Sequence, residues 1–341
     1  MDFSKIFLKD ACPTPVGGQA VMEGIMMKGL QRTAVAVRLP DGRIHMRTTP
    51  NRKMKKWMNV PIIRGVVAFL SSLIQGTEIL MYSADVLEDS WSEEEEVQES
   101  RFEKWVNSHF GEKGAWKLMI GLSVVFALVF SVGVFILMPT VVVNFLGRFT
   151  DNHIVLNLTE GIFRLAIFIL YVAAISRMED IKTVFQYHGA EHKTIHCFEN
   201  GLELTPDNAQ QFYTLHPRCG TSFLMFVMVI SLILFSLLGW PNLLMRLLSR
   251  ILLIPVVAGL SYEVLKWAGR SDNWLVKILS LPGLYLQKLT TKTPDNRQLE
   301  VAIAAMKAVM VPDDTPYFEG ICNLNGEFTE EHPIGKKKEN K

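Results

Sequence analysis

The sequence predicts a mainly α-helical polytopic membrane protein, with about four transmembrane helices, a re-entrant or interfacial helix and a small N-terminal β element. Three observations predict it. Four runs reach the roughly 20 mostly apolar residues that a bilayer crossing needs. Lys and Arg are unevenly divided among the segments between those runs. Residues 33–49 alternate apolar and polar around a turn signal. The composition agrees, with 49% hydrophobic residues and a mean hydropathy of +0.21. That is too apolar for an ordinary soluble chain and too low for one made of spans alone. Thirty-five basic against 34 acidic residues leave a net charge of +1, so no global field favours nucleic acid. Four cysteines are too few for a disulfide scaffold and read as reduced thiols, with metal binding as the exception to test. The first ten residues carry charges and no long apolar run, so no cleavable signal is expected and insertion begins internally.

The expected spans are residues 118–146, which carry no charge; 162–176, with Arg164 near the start; 223–239; and 251–267, which contains Glu263. Residues 60–84 are apolar but hold Arg64, Gln75 and Glu78 beside Gly65 and Gly76, which suggests a re-entrant or interfacial helix. Residues 1–64 contain twelve Lys/Arg against four Asp/Glu, and the chain from 266 onward contains eleven, whereas the turn 147–161 holds only Arg148. The positive-inside rule then puts both termini and the 177–222 loop in the cytoplasm. The resulting division is a cytoplasmic N-terminal region (1–59), the re-entrant helix (60–84), an acidic link (85–117), a four-span domain (118–268) carrying a His-rich loop (177–222), and a C-terminal helical region with a basic tail (269–341).

Within the N-terminal region, Val35, Val37 and Leu39 form one arm of a hairpin around Pro40-Asp41-Gly42, and Ile44 and Met46 the other. Before it, Gly17-Gly18-Gln19-Ala20-Val21-Met22-Glu23-Gly24 suggests a tight backbone turn or a lead-in to a strand; the Gly-Lys-Ser/Thr end of a P-loop is missing. Thr205-Pro206-Asp207-Asn208 and Thr293-Pro294-Asp295-Asn296 both read as helix starts, with Thr able to cap and Pro suited to the first turn. The second start opens an amphipathic helix over 299–309. The glutamate run 93–96 reads as a solvated face or link, and the tail 336–341 as a basic segment able to touch anionic lipid.

The chemistry concentrates in His188-Gly189-Ala190-Glu191-His192-Lys193-Thr194-Ile195-His196. On a helix continuing from the second span through 177–199 and closing at Asn200-Gly201, the three histidines fall one turn apart on one stripe. Two imidazoles at i and i+4 converge on one ion, and His188-x-x-Glu191-His192 matches the inverted zinc-protease pattern, with the glutamate placed to take a proton from water. The expected ligands are His188 and His192 on a divalent ion, with zinc the best match. His216, returned by a short helix over 206–215, is the preferred third ligand and Glu263 the rival; Cys219 also comes back to this region. Glu191 is the expected general base, and Arg218 orients an anionic group or pairs with Glu263 or lipid phosphate. The same stripe also fits a polar interfacial face, or a structural metal site without catalysis.

Gly17–Met27 with its Gly-Gly-Gln-Ala-Val-Met-Glu-Gly string, Tyr187-His188-Gly189-Ala190-Glu191-His192-Lys193, and His216-Pro217-Arg218-Cys219-Gly220-Thr221-Ser222-Phe223 resemble the YqhQ-like family of bacterial membrane proteins. The resemblance covers about residues 12–310. It implies a multi-pass plasma-membrane protein of a family labelled as predicted metal-dependent enzymes, its function otherwise unassigned. The expected function is a metal-dependent hydrolase at the cytoplasmic membrane face, acting on a lipid-linked or membrane-protein substrate. The alternative is a non-enzymatic membrane scaffold or assembly and quality-control factor. The expected partners are the lipid bilayer and that substrate, with no nucleic acid.

Overall fold

A computed structural model describes residues 12–51, 56–91, 112–238, 242–268, 274–312 and 314–333. The chain forms two compact units. One comprises Met1–Ser90, Val172–Ile230 and Leu252–Lys341, and the other Trp91–Tyr171 and Ser231–Ile251. The strands are β1 (Gly17–Val21), β2 (Gly24–Lys28), β3 (Arg32–Arg38), β4 (Ile44–Pro50), β5 (Phe318–Cys322) and β6 (Phe328–Pro333). The helices are α1 (Ile63–Trp91), α2 (Glu112–Val132), α3 (Met138–Leu146), α4 (His153–Ile175), α5 (Glu179–Glu199), α6 (Pro206–Gln210), α7 (Gly220–Ser236), α8 (Leu243–Ala268), α9 (Trp274–Thr290) and α10 (Asn296–Val309).

In the first unit the six strands make one antiparallel meander in chain order. Val21 pairs with Gly24, so Met22 and Glu23 alone turn the chain, and Glu23 takes the left-handed φ of 46° that a two-residue hairpin favours. The expected turn in the glycine-rich segment is this hairpin. β3 and β4 are the second expected hairpin; Gly42 sits at φ 88° and the Asp41 carboxylate accepts the Arg43 amide. Alternation then sorts the side chains. Val21, Met26, Val35 and Val37 pack with Ile79 and Leu87 of α1. Ile25, Met27, Ala34, Ala36, Ile44 and Met46 pack on the opposite face with Tyr187 and Ala190 of α5 and the buried side of α10. The sheet is therefore the middle of three layers. Leu299, Val301, Ile303 and Met306 of α10 are at most 2% exposed, each worth roughly 1.5–3 kcal/mol of burial. The alanines at 302, 304, 305 and 308 let the α10 backbone approach its neighbours closely.

The second unit contains a break with a chemical cause. Gly133–Leu137 is a π-helical turn between α2 and α3. Pro139 lacks the N–H that would reach the carbonyl four residues earlier, Phe135. Arg164 of α4 takes that carbonyl through Nε at 2.9 Å. Its other end joins Glu160, which is 1% exposed and also bonded by Arg250 and the Thr140 hydroxyl. A carboxylate buried among apolar helices is tolerable because both oxygens are bonded to cations.

Several boundaries differ from the sequence expectation. Residues 63–84 belong to one unbroken helix, α1, and its Ile63–Ser90 segment is long and apolar enough to cross a membrane. Gly121–Leu146, His153–Ile175 and Leu248–Trp267 also are, whereas Gly220–Ser236 has only 17 residues. The expected continuous helix from the second span into 177–199 is broken: α4 ends at Ile175, and Met178, extended at ψ 137°, begins α5. Asp295, not Thr293, caps α10, in a full capping box with Gln298, while Thr205 caps α6 as its type suggests. The C-terminal region holds strands β5 and β6 in addition to helices. The glutamate run 93–96 and the tail 336–341 lie outside the described residues.

Candidate metal centre

α5 carries the histidine stripe. Glu179 and Asp180 sit in its positive first turn, and it closes at Asn200 with Gly201 at φ 68°, the expected glycine stop. Gly189 lets this helix pass against the chain after α9: a Cβ there would meet the Lys292 carbonyl oxygen at 2.0 Å. Lys193 is buried and donates to the Gln210 and Phe212 carbonyls at 2.7 and 2.6 Å, tying α5 to the segment before His216.

Each histidine of the stripe is oriented by a backbone carbonyl. His188 Nδ1 is 2.8 Å from the Thr290 oxygen, His192 Nδ1 bonds the Thr214 oxygen, and His196 Nε2 is 3.0 Å from the Leu215 oxygen. A carbonyl only accepts, so each of these nitrogens carries the proton and the other ring nitrogen is left with a lone pair. This is the orientation that metal-ligating imidazoles adopt. In His192 the remaining Nε2 is buried and has no hydrogen-bond partner among the described residues. Burial also holds the His192 ring down to a pKa of about 4, so it is neutral at physiological pH.

Cys219 completes the group. His188, His192 and Cys219 offer ligand atoms within 4.8 Å of one another, with Cys219 Sγ 3.2 Å from His188 Nε2. Cys219 directly precedes α7, and its sulfur receives the Thr221 amide at 3.4 Å and faces the Thr221 hydroxyl at 3.2 Å. Burial raises the Cys219 thiol, while polar groups around its sulfur, among them the Thr221 amide and hydroxyl, lower it, and the pKa falls below the ordinary value. Two imidazoles and a cysteine sulfur are a zinc-type donor set, and the unpartnered His192 Nε2 is the observation that fits it to an ion.

Glu191 lies beside this group. Its carboxyl is 6% exposed and sits against Gly18, where a Cβ would come within 2.9 Å of the carboxyl carbon. Burial raises its pKa to about 7, offset in part by His188 and by the Gly18 amide. A cavity of about 270 Å³ opens here, lined by Thr14 to Gly18, Glu191, His192, His216, Arg218 and Cys219 among others.

The structure sets His216 beside His192, with ring centroids 5.6 Å apart, and pairs Glu263 with Arg64. His216 belongs to a second group with His196 and Glu199. Gln287 clamps its backbone, accepting its amide at 2.8 Å and donating to its carbonyl at 2.9 Å. Glu263 forms a two-point ion pair with Arg64, whose Nε reaches it at 2.6 Å, because α1 and α8 are brought together where Gly259 packs on Ile62. Arg218 donates to Glu199 and to the Thr14 carbonyl at 3.2 Å, so the carboxylate it pairs with is Glu199 and not Glu263. Sequence reasoning missed Glu199, three residues after His196 on the stripe, and Gly18, whose missing side chain makes room for Glu191. The i, i+3 spacing from His196 was the available signal for the first.

The family described as "Protein of unknown function (DUF1385)" matches residues 60–311. The Bacillus subtilis (strain 168) protein named "Uncharacterized protein YqhQ" is 35% identical over 315 residues, covering 89% of this chain and 94% of the relative. No solved structure matches the chain. With most of both chains aligned and the family match spanning the histidine stripe, the chain belongs to the DUF1385 family of YqhQ-like proteins, whose function is uncharacterised.

Proposed function

We propose that this protein is a metal-dependent membrane hydrolase whose ion is held by His188, His192 and Cys219. The observation that carries the reading is the buried, unpartnered His192 Nε2 facing a group of two oriented imidazoles and a thiol with a lowered pKa. When bound, zinc or a similar divalent ion supplies Lewis acidity and acidifies water near neutral pH. The remaining work falls to the chain. The Glu191 carboxylate accepts a proton from the attacking water, and a pKa of about 7 suits both taking and returning it near neutrality. The Gly18 amide holds that carboxylate in place. The main chain of Thr14 to Gly18 walls the cavity and limits the water around the reacting groups. Arg218 acts through Glu199 and is a positioning residue.

The substrate class follows from the setting. Among the described residues, four helices are long and apolar enough to cross a membrane, and the Lys/Arg bias favours the plasma membrane's cytoplasmic side for both termini and for the 177–222 segment. A site on that segment suits lipid-linked or membrane-protein substrates.

Elemental mass spectrometry of the detergent-purified protein tests the reading. The expected result is metal in the wild type that is lost in His188→Ala/His192→Ala and kept in Glu191→Gln, with the biological phenotype lost in both. Protein purified without chelator that carries no ion at these residues refutes it. The histidines would then be a polar interfacial face, and the scaffold reading would take over.

A further inference from the structure

The sheet ends in an edge beside the cavity of the candidate site. β1 is the first strand of the meander, so among the described strands only β2 pairs with it. Val21 and Gly24 close a two-residue hairpin, and the antiparallel ladder alternates from there. Gly17, Gln19 and Val21 turn their backbone groups to β2, while Gly18 and Ala20 turn theirs outward. The Gly18 amide agrees with this phase, since it bonds the Glu191 carboxylate. The Gly18 carbonyl and both backbone groups of Ala20 have no hydrogen-bond partner among the described residues. An edge left open in this way is a template for another strand.

The lead-in to β1 is held differently. Glu199 Oε1 accepts the Thr14 amide at 2.7 Å, Arg218 donates to the Thr14 carbonyl at 3.2 Å, and the Cys12 amide donates to the Glu199 carbonyl at 2.8 Å. Side chains and backbone of the site therefore pin the chain as far as Thr14 and leave the outer edge beyond it open. Residues 14–18 share the wall of the cavity with Glu191, His192 and Cys219. Gly17 and Gly220 also line it, and a Cβ on either would meet nothing within 4 Å. The cavity's 270 Å³ is below the roughly 300–1,000 Å³ that encloses a drug-sized ligand. It takes in part of a substrate, and the rest lies along its walls. Unpaired peptide groups are matched by another peptide backbone, whereas an acyl chain would leave them unbonded.

We infer that an extended segment of a protein substrate adds to the outer edge of β1, which narrows the proposed substrates to the membrane-protein class. The inference rests on the hydrolase reading. Main-chain bonds to Gly18 and Ala20 supply affinity that tolerates many sequences. Gly18 joins this edge to the chemistry, because its amide holds Glu191 while its carbonyl is free for the added strand. Hydrolysis adds water across one peptide bond of the segment. The hydroxyl goes to the carbonyl carbon, the C–N bond breaks, and the proton taken up by Glu191 passes to the leaving amine.

Hydroxamates test this in the full-length protein in detergent. The chelator-stripped chain is loaded with Co²⁺, and binding is read from the cobalt absorption band. Acetohydroxamate reports on the ion alone. Trialanine carrying the hydroxamate at its carboxyl end, and trialanine carrying it at its amino end, cover both directions from the ion. At least one should bind about tenfold tighter than acetohydroxamate, the worth of roughly two backbone hydrogen bonds. Methylating its peptide nitrogens should remove the gain. Gly17→Val puts a side chain into open space, and Ala20→Pro removes an N–H that β2 does not use. Both variants should lose the gain and keep the acetohydroxamate affinity. If neither peptide outbinds acetohydroxamate, or methylation leaves the gain intact, the inference is overturned while the hydrolase reading stands. Octanohydroxamate outbinding both peptides would then point to lipid-linked substrates. A chain that takes up no cobalt sinks the hydrolase reading, and this inference with it.

Discussion

Substituting Gly189 by alanine tests whether the close passage of α5 positions the site. Alanine is normally the better helix residue, by about 1 kcal/mol. At this position the added Cβ would lie 2.0 Å from the Lys292 carbonyl oxygen and 3.2 Å from the Thr214 side chain. The oxygen is backbone, so the helix or the loop must shift by about 1 Å to restore ordinary contact. Overpacking of this kind costs about 1–3 kcal/mol. The shift also strains the Lys292 amide bond to Phe185 and the His188 bond to Thr290, each worth about 1 kcal/mol. Helix propensity offsets only part of this, and the net destabilisation is about 1–4 kcal/mol. Tryptophan-fluorescence melting in detergent should place Gly189→Ala below the wild type, and its cobalt occupancy should fall because the Thr290 carbonyl no longer orients His188. An equal or higher melting point would show that the close approach does not constrain α5.

Three further outcomes follow from other parts of the molecule. Arg250→Met leaves Glu160 with one guanidinium instead of two in a buried setting, so it should destabilise by about 3 kcal/mol, whereas Arg148→Met at an exposed position should stay within about 0.5 kcal/mol; melting of both variants checks this. Asp295→Ala removes the capping box of α10 and should cost about 0.5–2 kcal/mol, readable as a lower denaturant midpoint. His45 is held below its ordinary pKa of 6.5 by burial, against the pull of Glu319. The unfolded chain therefore takes up this proton first, so His45 costs nothing above pH 6.5 and destabilises the fold as pH falls below it. Stability of His45→Gln should decline less steeply over that acid range, and identical slopes would count against the assignment.

The strand pairs built on tight turns were legible because their signals are local. Pro40-Asp41-Gly42 between alternating arms announces β3 and β4, and the glycine-rich segment before them carried a turn signal for β1 and β2. β5 and β6 were not legible. Gly320 interrupts the first, and the second reads Phe-Thr-Glu-Glu-His-Pro, with no apolar alternation. They are strands because β4 offers an edge, which only the folded sheet supplies. The same limit explains α1. Arg64, Gln75 and Glu78 made residues 60–84 look broken, yet Arg64 is neutralised by Glu263 across 199 residues of chain and Gln75 receives Lys28. Those partners cannot be read from the segment itself.

In the site, helical spacing fixes which residues share a stripe, and His188, His192 and Glu191 followed from it. Spacing does not show how far a ligand from another element must travel. His216 and Cys219 are three residues apart in one turn, and either could return to the stripe. Which one meets His188 depends on Gln287, which clamps the His216 backbone, and on α7, whose start sets the Cys219 sulfur on Thr221. Glu263 looked like a ligand because an intramembrane carboxylate needs a partner. The need was real, but Arg64 meets it. The general point concerns charge more than position: Glu160, Glu199 and Glu263 are each answered by an arginine, while Glu191 has no arginine partner among its described contacts. Burial raises its pKa to about 7, and a carboxyl with a raised pKa beside oriented imidazoles is what a proton-transfer role requires.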